Sequence, residues 1–178
     1  GLIEAMGTKV LEEACELLGQ WKSIPGRDHL RLTVNVSAKQ LANPEFVPLV
    51  FAVMARFGVP PKRLTLEVTE SILMEDVGTI STRLEELREY GCLIALDDFG
   101  TGYSSLSMLV KLPLDILKID RAFVMDLPAN SNSAAIVDAI VTLAHGLGLD
   151  VVAEGVETIE HVEFLRVHGC DEGQGYYF

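Results

Sequence analysis

The sequence predicts a parallel α/β fold, and three observations carry that expectation. Strand-like and helix-like segments alternate along all 178 residues. Several strand candidates are unbroken runs of Val, Ile and Leu, as expected of parallel strands covered on both faces. Polar side chains gather at the C-terminal ends of those strands, where parallel sheets and barrels place their sites.

The first helix is expected at "VLEEACELLGQW" (10–21), whose apolar residues recur at helical spacing. "LRLTVNVS" (30–37) follows as the first strand. Asn43-Pro44 opens a second helix, which Gly58 stops. "RLTLEVTE" (63–70) is the next strand, and a helix closing at Gly91 leads into "CLIALDD" (92–98). "DILKID" (115–120) is a fourth strand, and "NSAAIVDAIVTLAHGLG" (132–148) is a helix. "DVVAEGVE" (150–157) is a fifth strand, Thr158 caps a helix ending at Gly169, and "DEGQGYYF" (171–178) is a sixth. Strand–helix units of this length imply right-handed crossovers. No linker or low-complexity stretch interrupts them, so residues 1–178 are expected to form a single domain.

Composition narrows the function classes. Hydrophobic residues make up 49% and charged residues 22%, a globular balance. A net charge of −12 disfavours nonspecific attraction to nucleic acid or to anionic lipid. It leaves room for an anionic substrate, because bound divalent cations invert the local field. No apolar stretch reaches the ~20 residues of a membrane helix. The three cysteines, Cys15, Cys92 and Cys170, are far apart and form no CxxC, which reads as free thiols in a reducing cytoplasm. The four histidines avoid every strand end, so zinc and haem have little support.

The strand ends carry the chemistry. Asn35, Glu67, Asp97, Asp98, Lys118, Asp120, Glu154 and Gln174 lie at or near the C-terminal halves of the predicted strands. Asp97 and Asp98 are adjacent, and like charges that close destabilise both ionised forms unless a cation intervenes. Five carboxylates without sulfur or imidazole suit the hard cations Mg²⁺ or Mn²⁺. Adjacent aspartates can flank two ions about 3.5–4 Å apart, the spacing of two-metal phosphoryl-transfer sites. Lys118 precedes Asp120 by two residues, so strand alternation puts both on one face. A lysine there can hold a nucleophile or stabilise developing negative charge. Two other readings of the central stretch are weaker. "DFG" (98–100) lacks an accompanying HRD-type loop, and "GTGYSS" (100–105) has serine where a glycine fingerprint needs its third glycine.

"NVS" (35–37), "LEVTES" (66–71), "DDFGTGYSSL" (97–106), "LKID" (117–120), "VAEGVET" (152–158) and "QGYYF" (174–178) resemble, in order, the motifs of the EAL-domain family of bacterial cyclic di-GMP phosphodiesterases. The resemblance implies a TIM-like (β/α)8 barrel that hydrolyses cyclic di-GMP to linear 5′-pGpG with two Mg²⁺ or Mn²⁺ ions. It makes Asn35, Glu67 and Asp97 ligands of one metal, with Asp97 bridging to a second held also by Asp98 and Glu154. Lys118 would bind the attacking water, Glu154 would serve as general base, and Asp120 would support the second metal's water or the substrate phosphate. Gln174 would reach the nucleotide, Glu70 would order the 98–106 loop, and Glu157 would support the site from behind. The family also implies a homodimer through that loop and attached sensory or regulatory domains, which can anchor an otherwise cytoplasmic protein to a membrane.

One family feature has no counterpart in this sequence. The name-giving Glu-Ala-Leu, with an arginine beyond it, ends a strand upstream of every motif quoted above. "IEAM" (3–6) is not that motif and is expected just ahead of the first helix. The expectation is therefore six βα-type units, about two opening strands short of a closed barrel, and no turnover by this stretch alone. The alternative reading is a catalytically inactive EAL-like module that binds cyclic di-GMP or a protein partner as a sensor.

Overall fold

The computed structural model describes residues 2–70, 72, 77–100 and 109–178. The chain divides into two compact units, Gly1–Ile94 with Lys111–Pro113, and Ala95–Val110 with Leu114–Phe178.

The first unit opens with α1 (Leu2–Trp21), then β1 (Leu32–Asn35), α2 (Ala38–Ala42), α3 (Phe46–Phe57), a 3-10 turn (Pro61–Arg63), β2 (Leu64–Thr69) and α4 (Val77–Tyr90). α1 begins eight residues earlier than its apolar spacing predicts, so "IEAM" lies inside the helix and not ahead of it. Glu4, Ala5 and Met6 are strong helix formers. Gly7 lies inside the helix, where a Cβ would meet the end of the Gln40 side chain and oblige it to move. Leu11, Cys15 and Leu18 then form the buried stripe of α1.

β1 and β2 pair in parallel, with Leu32 opposite Leu64 and Asn35 opposite Glu67. α2 went unseen in the periodicity because it is only five residues long. Its signal is the capping box Ser37-x-x-Gln40, in which the Ser37 hydroxyl accepts from the Gln40 amide and the Gln40 side chain accepts from the Ser37 amide. α3 ends where Gly58 adopts the left-handed conformation at φ +63°. α4 ends before Gly91, and Phe51 stacks on Tyr90 at 4.0 Å between ring centroids.

Arg63 locks this unit from inside. It is buried, and its guanidinium donates to the carbonyls of Leu30 (2.7 Å), Arg27 (2.9 Å) and Leu18 (3.4 Å). The end of α1 and the following loop are thereby tied to the start of β2. Arg63→Ala strands those carbonyls and is expected to cost about 3 kcal/mol, at the level of lost hydrogen bonds to a charged group. Arg63→Lys should recover less than half of that, because one ammonium cannot reproduce the planar fork. Chemical denaturation of the three proteins checks both statements; an alanine variant as stable as the parent would refute the clamp.

The second unit contains β3 (Leu93–Phe99) from Ala95 onward, β4 (Ile116–Ile119), α5 (Arg121–Val124), α6 (Ser131–Gly146), β5 (Asp150–Glu154), α7 (Ile159–Val167) and β6 (Glu172–Gln174). β3, β4, β5 and β6 pair in that order, all in parallel. Its core contains Leu96, Leu117, Ile119, Val151 and Ala153 from the strands, with Val137 and Ala144 from α6. Asn130 caps α6 and Thr158 caps α7, each side chain accepting from amides of the first turn. β5 stops at Glu154, short of the predicted end at residue 157, because Gly155 turns to φ +72°. β6 is three residues long, shorter than the strand expected over 171–178.

The three cysteines are free, as expected. Burial pushes the Cys15 thiol up to about 11 and the Cys92 thiol up to about 12, so neither is a ready thiolate. No helix among the described residues is long and apolar enough to cross a membrane.

Candidate active site

The second unit brings its strand-end side chains together around one buried ammonium. Lys118, on β4, has a side chain only 5% exposed, and a lone buried charge is costly. Its Nζ lies 3.1 Å from Asp97 Oδ1 and forms a second ion pair with Glu154 Oε1. Asp97, Asp98 and Glu154 offer carboxylate oxygens that all lie within 4.8 Å of one another.

Regular pleating would point Asp97 and Asp98 to opposite faces of β3. The register shows how both reach one place. Leu96 pairs with Leu117 and Phe99 with Ile119, so three steps along β3 match two along β4. That extra residue is a β-bulge, a device that re-aims side chains at strand ends. Asp98 takes it up at φ +57°, among the described residues the one non-glycine with positive φ. Aspartate tolerates this left-handed conformation better than most residues. Gly100 follows at φ +99°, where a Cβ would stand 2.9 Å from the Phe123 ring. The Asp98 amide donates to Asp97 Oδ1 at 3.1 Å, which fixes the first carboxylate against the bulge.

The electrostatics follow from this crowding. Burial raises the Asp98 pKa, and the Asp97 charge, a hydrogen bond with Asp120 and the Glu154 charge push it the same way. Asp120 therefore belongs to the cluster, although its Oδ1 also accepts from the Ala122 amide at 2.7 Å as the cap of α5. Gln174 stands opposite Glu154 in the β5–β6 register, and its carbonyl accepts from the Val156 amide at 3.1 Å. Glu157 is exposed, and its amide donates to Nδ1 of the buried His161.

In the first unit, Asn35 ends β1 and stands directly opposite Glu67, two residues before the end of β2. Asn35 is exposed, whereas Glu67 and Glu70 are buried. Most of the 98–106 loop, including Gly102 and the segment Glu70 is expected to order, lies outside the described residues.

This donor set suits a hard divalent cation. Three carboxylates meet with no sulfur or imidazole in the group, and a divalent charge would offset both the burial and the neighbouring negative charges that lift Asp98. Sequence reasoning missed Arg121, which lines a cleft beside Glu154 and Gln174. An arginine following a capping aspartate has no periodic signature that would single it out.

The EAL domain family model matches residues 1–178, the whole chain. The chain belongs to the EAL domain family. This EAL domain is 43% identical over 178 residues to the cyclic di-GMP phosphodiesterase NbdA of Pseudomonas aeruginosa, covering 100% of this chain and 23% of the relative. It spans about a quarter of the length of the curated relatives it matches. Among solved structures, the PaMucR phosphodiesterase in complex with c-di-GMP matches with a TM-score of 0.93 and 45% identity, over 99% of this chain and 71% of that one. The BlrP1 manganese and cyclic di-GMP complex of Klebsiella pneumoniae matches with a TM-score of 0.87 and 31% identity, over 98% of this chain and 44% of that one. The fold class expected from the sequence, a TIM-like barrel lacking some of its strands, agrees with these matches.

Proposed function

We propose that this EAL domain hydrolyses cyclic di-GMP to linear 5′-pGpG with the help of two Mg²⁺ or Mn²⁺ ions. The observation that carries the proposal is Lys118, buried and ion-paired with Asp97 and Glu154 beside Asp98. Asp97, Asp98 and Glu154 are the ligands proposed from the second unit, and Asn35 and Glu67 those from the first. Divalent cations held there would polarise the phosphoryl oxygens and lower the pKa of water.

The chain's own residues do the rest. Lys118 orients the attacking water and offsets negative charge as it builds on the phosphoryl oxygens. A Glu154 carboxylate oxygen accepts a proton from that water. The new P–O bond forms as the bond to the 3′ oxygen breaks, and that oxygen takes a proton from solvent to become the 3′ hydroxyl of 5′-pGpG. Asp120 and Gln174 position the substrate, with Glu70 and Glu157 supporting. Homodimerisation through the 98–106 loop, attachment to sensory or regulatory domains and a cytoplasmic active site complete the proposal.

The test is product analysis of the full-length protein with cyclic di-GMP and Mg²⁺ or Mn²⁺. Linear 5′-pGpG is expected, and Glu154→Ala should lower its formation at least ~10²-fold without unfolding the protein. Binding without product would favour the sensor reading instead.

A further inference from the structure

Asn35 has no side-chain tether of its own. It ends β1 exposed, and its side chain makes no hydrogen bond with the described residues. A ligand of that kind is aimed by its backbone alone. On one side β2 fixes that backbone: Asn35 pairs with Glu67, and the Val36 amide donates to the Glu67 carbonyl at 2.7 Å. On the other side stands Ser37, where β1 has ended and the chain turns into α2.

α2 is five residues long, too short to hold itself as a helix. One side chain holds its start instead. Gln40 Oε1 accepts from the Ser37 amide at 3.1 Å and from the Ser37 hydroxyl at 2.8 Å. That hydroxyl in turn accepts from the Gln40 amide at 3.3 Å. Gln40 is only 7% exposed and lodges against Gly7 of α1, where a Cβ would stand 2.8 Å from its Cδ. Arg83 of α4 donates to the Leu41 carbonyl, which pins α2 from a second helix. A capping box works at the surface, and burying an amide is costly. What burial adds here is rigidity, because a glutamine packed against α1 cannot swing away and release Ser37.

We infer that Gln40 is a positioning residue for metal binding: through Ser37 it sets the direction in which Asn35 presents its amide oxygen. The inference rests on the proposal that Asn35 is a metal ligand. Residues that orient a ligand without touching the ion typically contribute about 10- to 100-fold to metal affinity. Gln40→Met keeps the length of the side chain and removes the oxygen to which Ser37 donates. Gln40→Asn keeps the amide but shortens its reach. Gln40→Glu restores an acceptor of the kind a capping box uses.

Calorimetric Mn²⁺ titration of the full-length protein without substrate tests the inference, with Tm measured on the metal-free proteins. Gln40→Met and Gln40→Asn should each weaken Mn²⁺ binding about 10-fold, and Gln40→Glu should recover most of that loss. Asn35→Ala should weaken it too, and adding Gln40→Met to Asn35→Ala should cost nothing more, because Gln40 acts through Asn35. A glutamine that only stabilises the fold would lower Tm in both disruptive variants and leave their Mn²⁺ affinity at the parental value, which overturns the inference. Losses that add in the double variant overturn it as well, since Gln40 would then act on another ligand. Parental Mn²⁺ binding in Asn35→Ala would remove Asn35 from the proposed ligand set and the inference with it, whereas the first two failures leave Asn35 a ligand.

Discussion

Lys118→Ala is expected to lower kcat on cyclic di-GMP by at least ~10²-fold without weakening Mn²⁺ binding. The two halves of that expectation have one cause. Lys118 is a buried cation held against Asp97 and Glu154, two of the proposed metal ligands. Removing it takes away a charge that competes with a divalent cation for the same oxygens, so metal affinity should hold or rise. It also takes away the one positive side chain that pairs with those oxygens among the described residues, so turnover should fall. A lysine that merely fills space between carboxylates would behave differently, since added metal would then restore activity. Steady-state rates and calorimetric Mn²⁺ titration on the same preparations distinguish the cases. Near-parental kcat at saturating Mn²⁺ would remove Lys118 from the chemistry.

Much of this site is legible in sequence because charge is costly to bury. Asp97, Asp98, Lys118 and Glu154 interrupt apolar strands at their ends, and no packing argument supplies them. The geometry joining Asp97 to Asp98 is a different matter. Sequence places two adjacent acids on one strand, but the bulge that turns both toward one place depends on the register with β4. Register is a tertiary property, set by which residues of a partner strand are buried opposite. Gly7 shows the same limit in the fold. Apolar spacing starts the first helix at residue 10, whereas the helix runs from Leu2 through Gly7, whose missing Cβ leaves room for the Gln40 side chain. Arg63 and Arg121 were passed over for a related reason. An arginine reads as a surface charge until the carbonyls or the cleft around it are seen.

Metal removal should have the largest effect of all: excess chelator should abolish hydrolysis, and full activity in chelator would refute the two-metal proposal. Stability supplies a readout independent of turnover. Burial, Asp97, Asp120 and Glu154 hold the Asp98 pKa above its ordinary value. For a carboxyl raised on folding, the stabilising contribution is fully present below the unfolded pKa and is lost as pH rises through the folded one. Once pH has risen past that pKa, the metal-free protein therefore carries an unrelieved charge. A divalent cation relieves it, and its binding must release the proton where Asp98 still holds one, so affinity should rise with pH. At free metal about 100-fold above Kd, binding adds ~2.7 kcal/mol of stability. At a fixed Mn²⁺ concentration, the rise in Tm should thus be larger at higher pH than at lower pH. Asp98→Asn keeps the size and the bulge but removes both the charge and the titration, so its Tm shift should be smaller and less dependent on pH. Equal shifts in parent and variant at both pH values would show that Asp98 neither holds the metal nor couples it to protons.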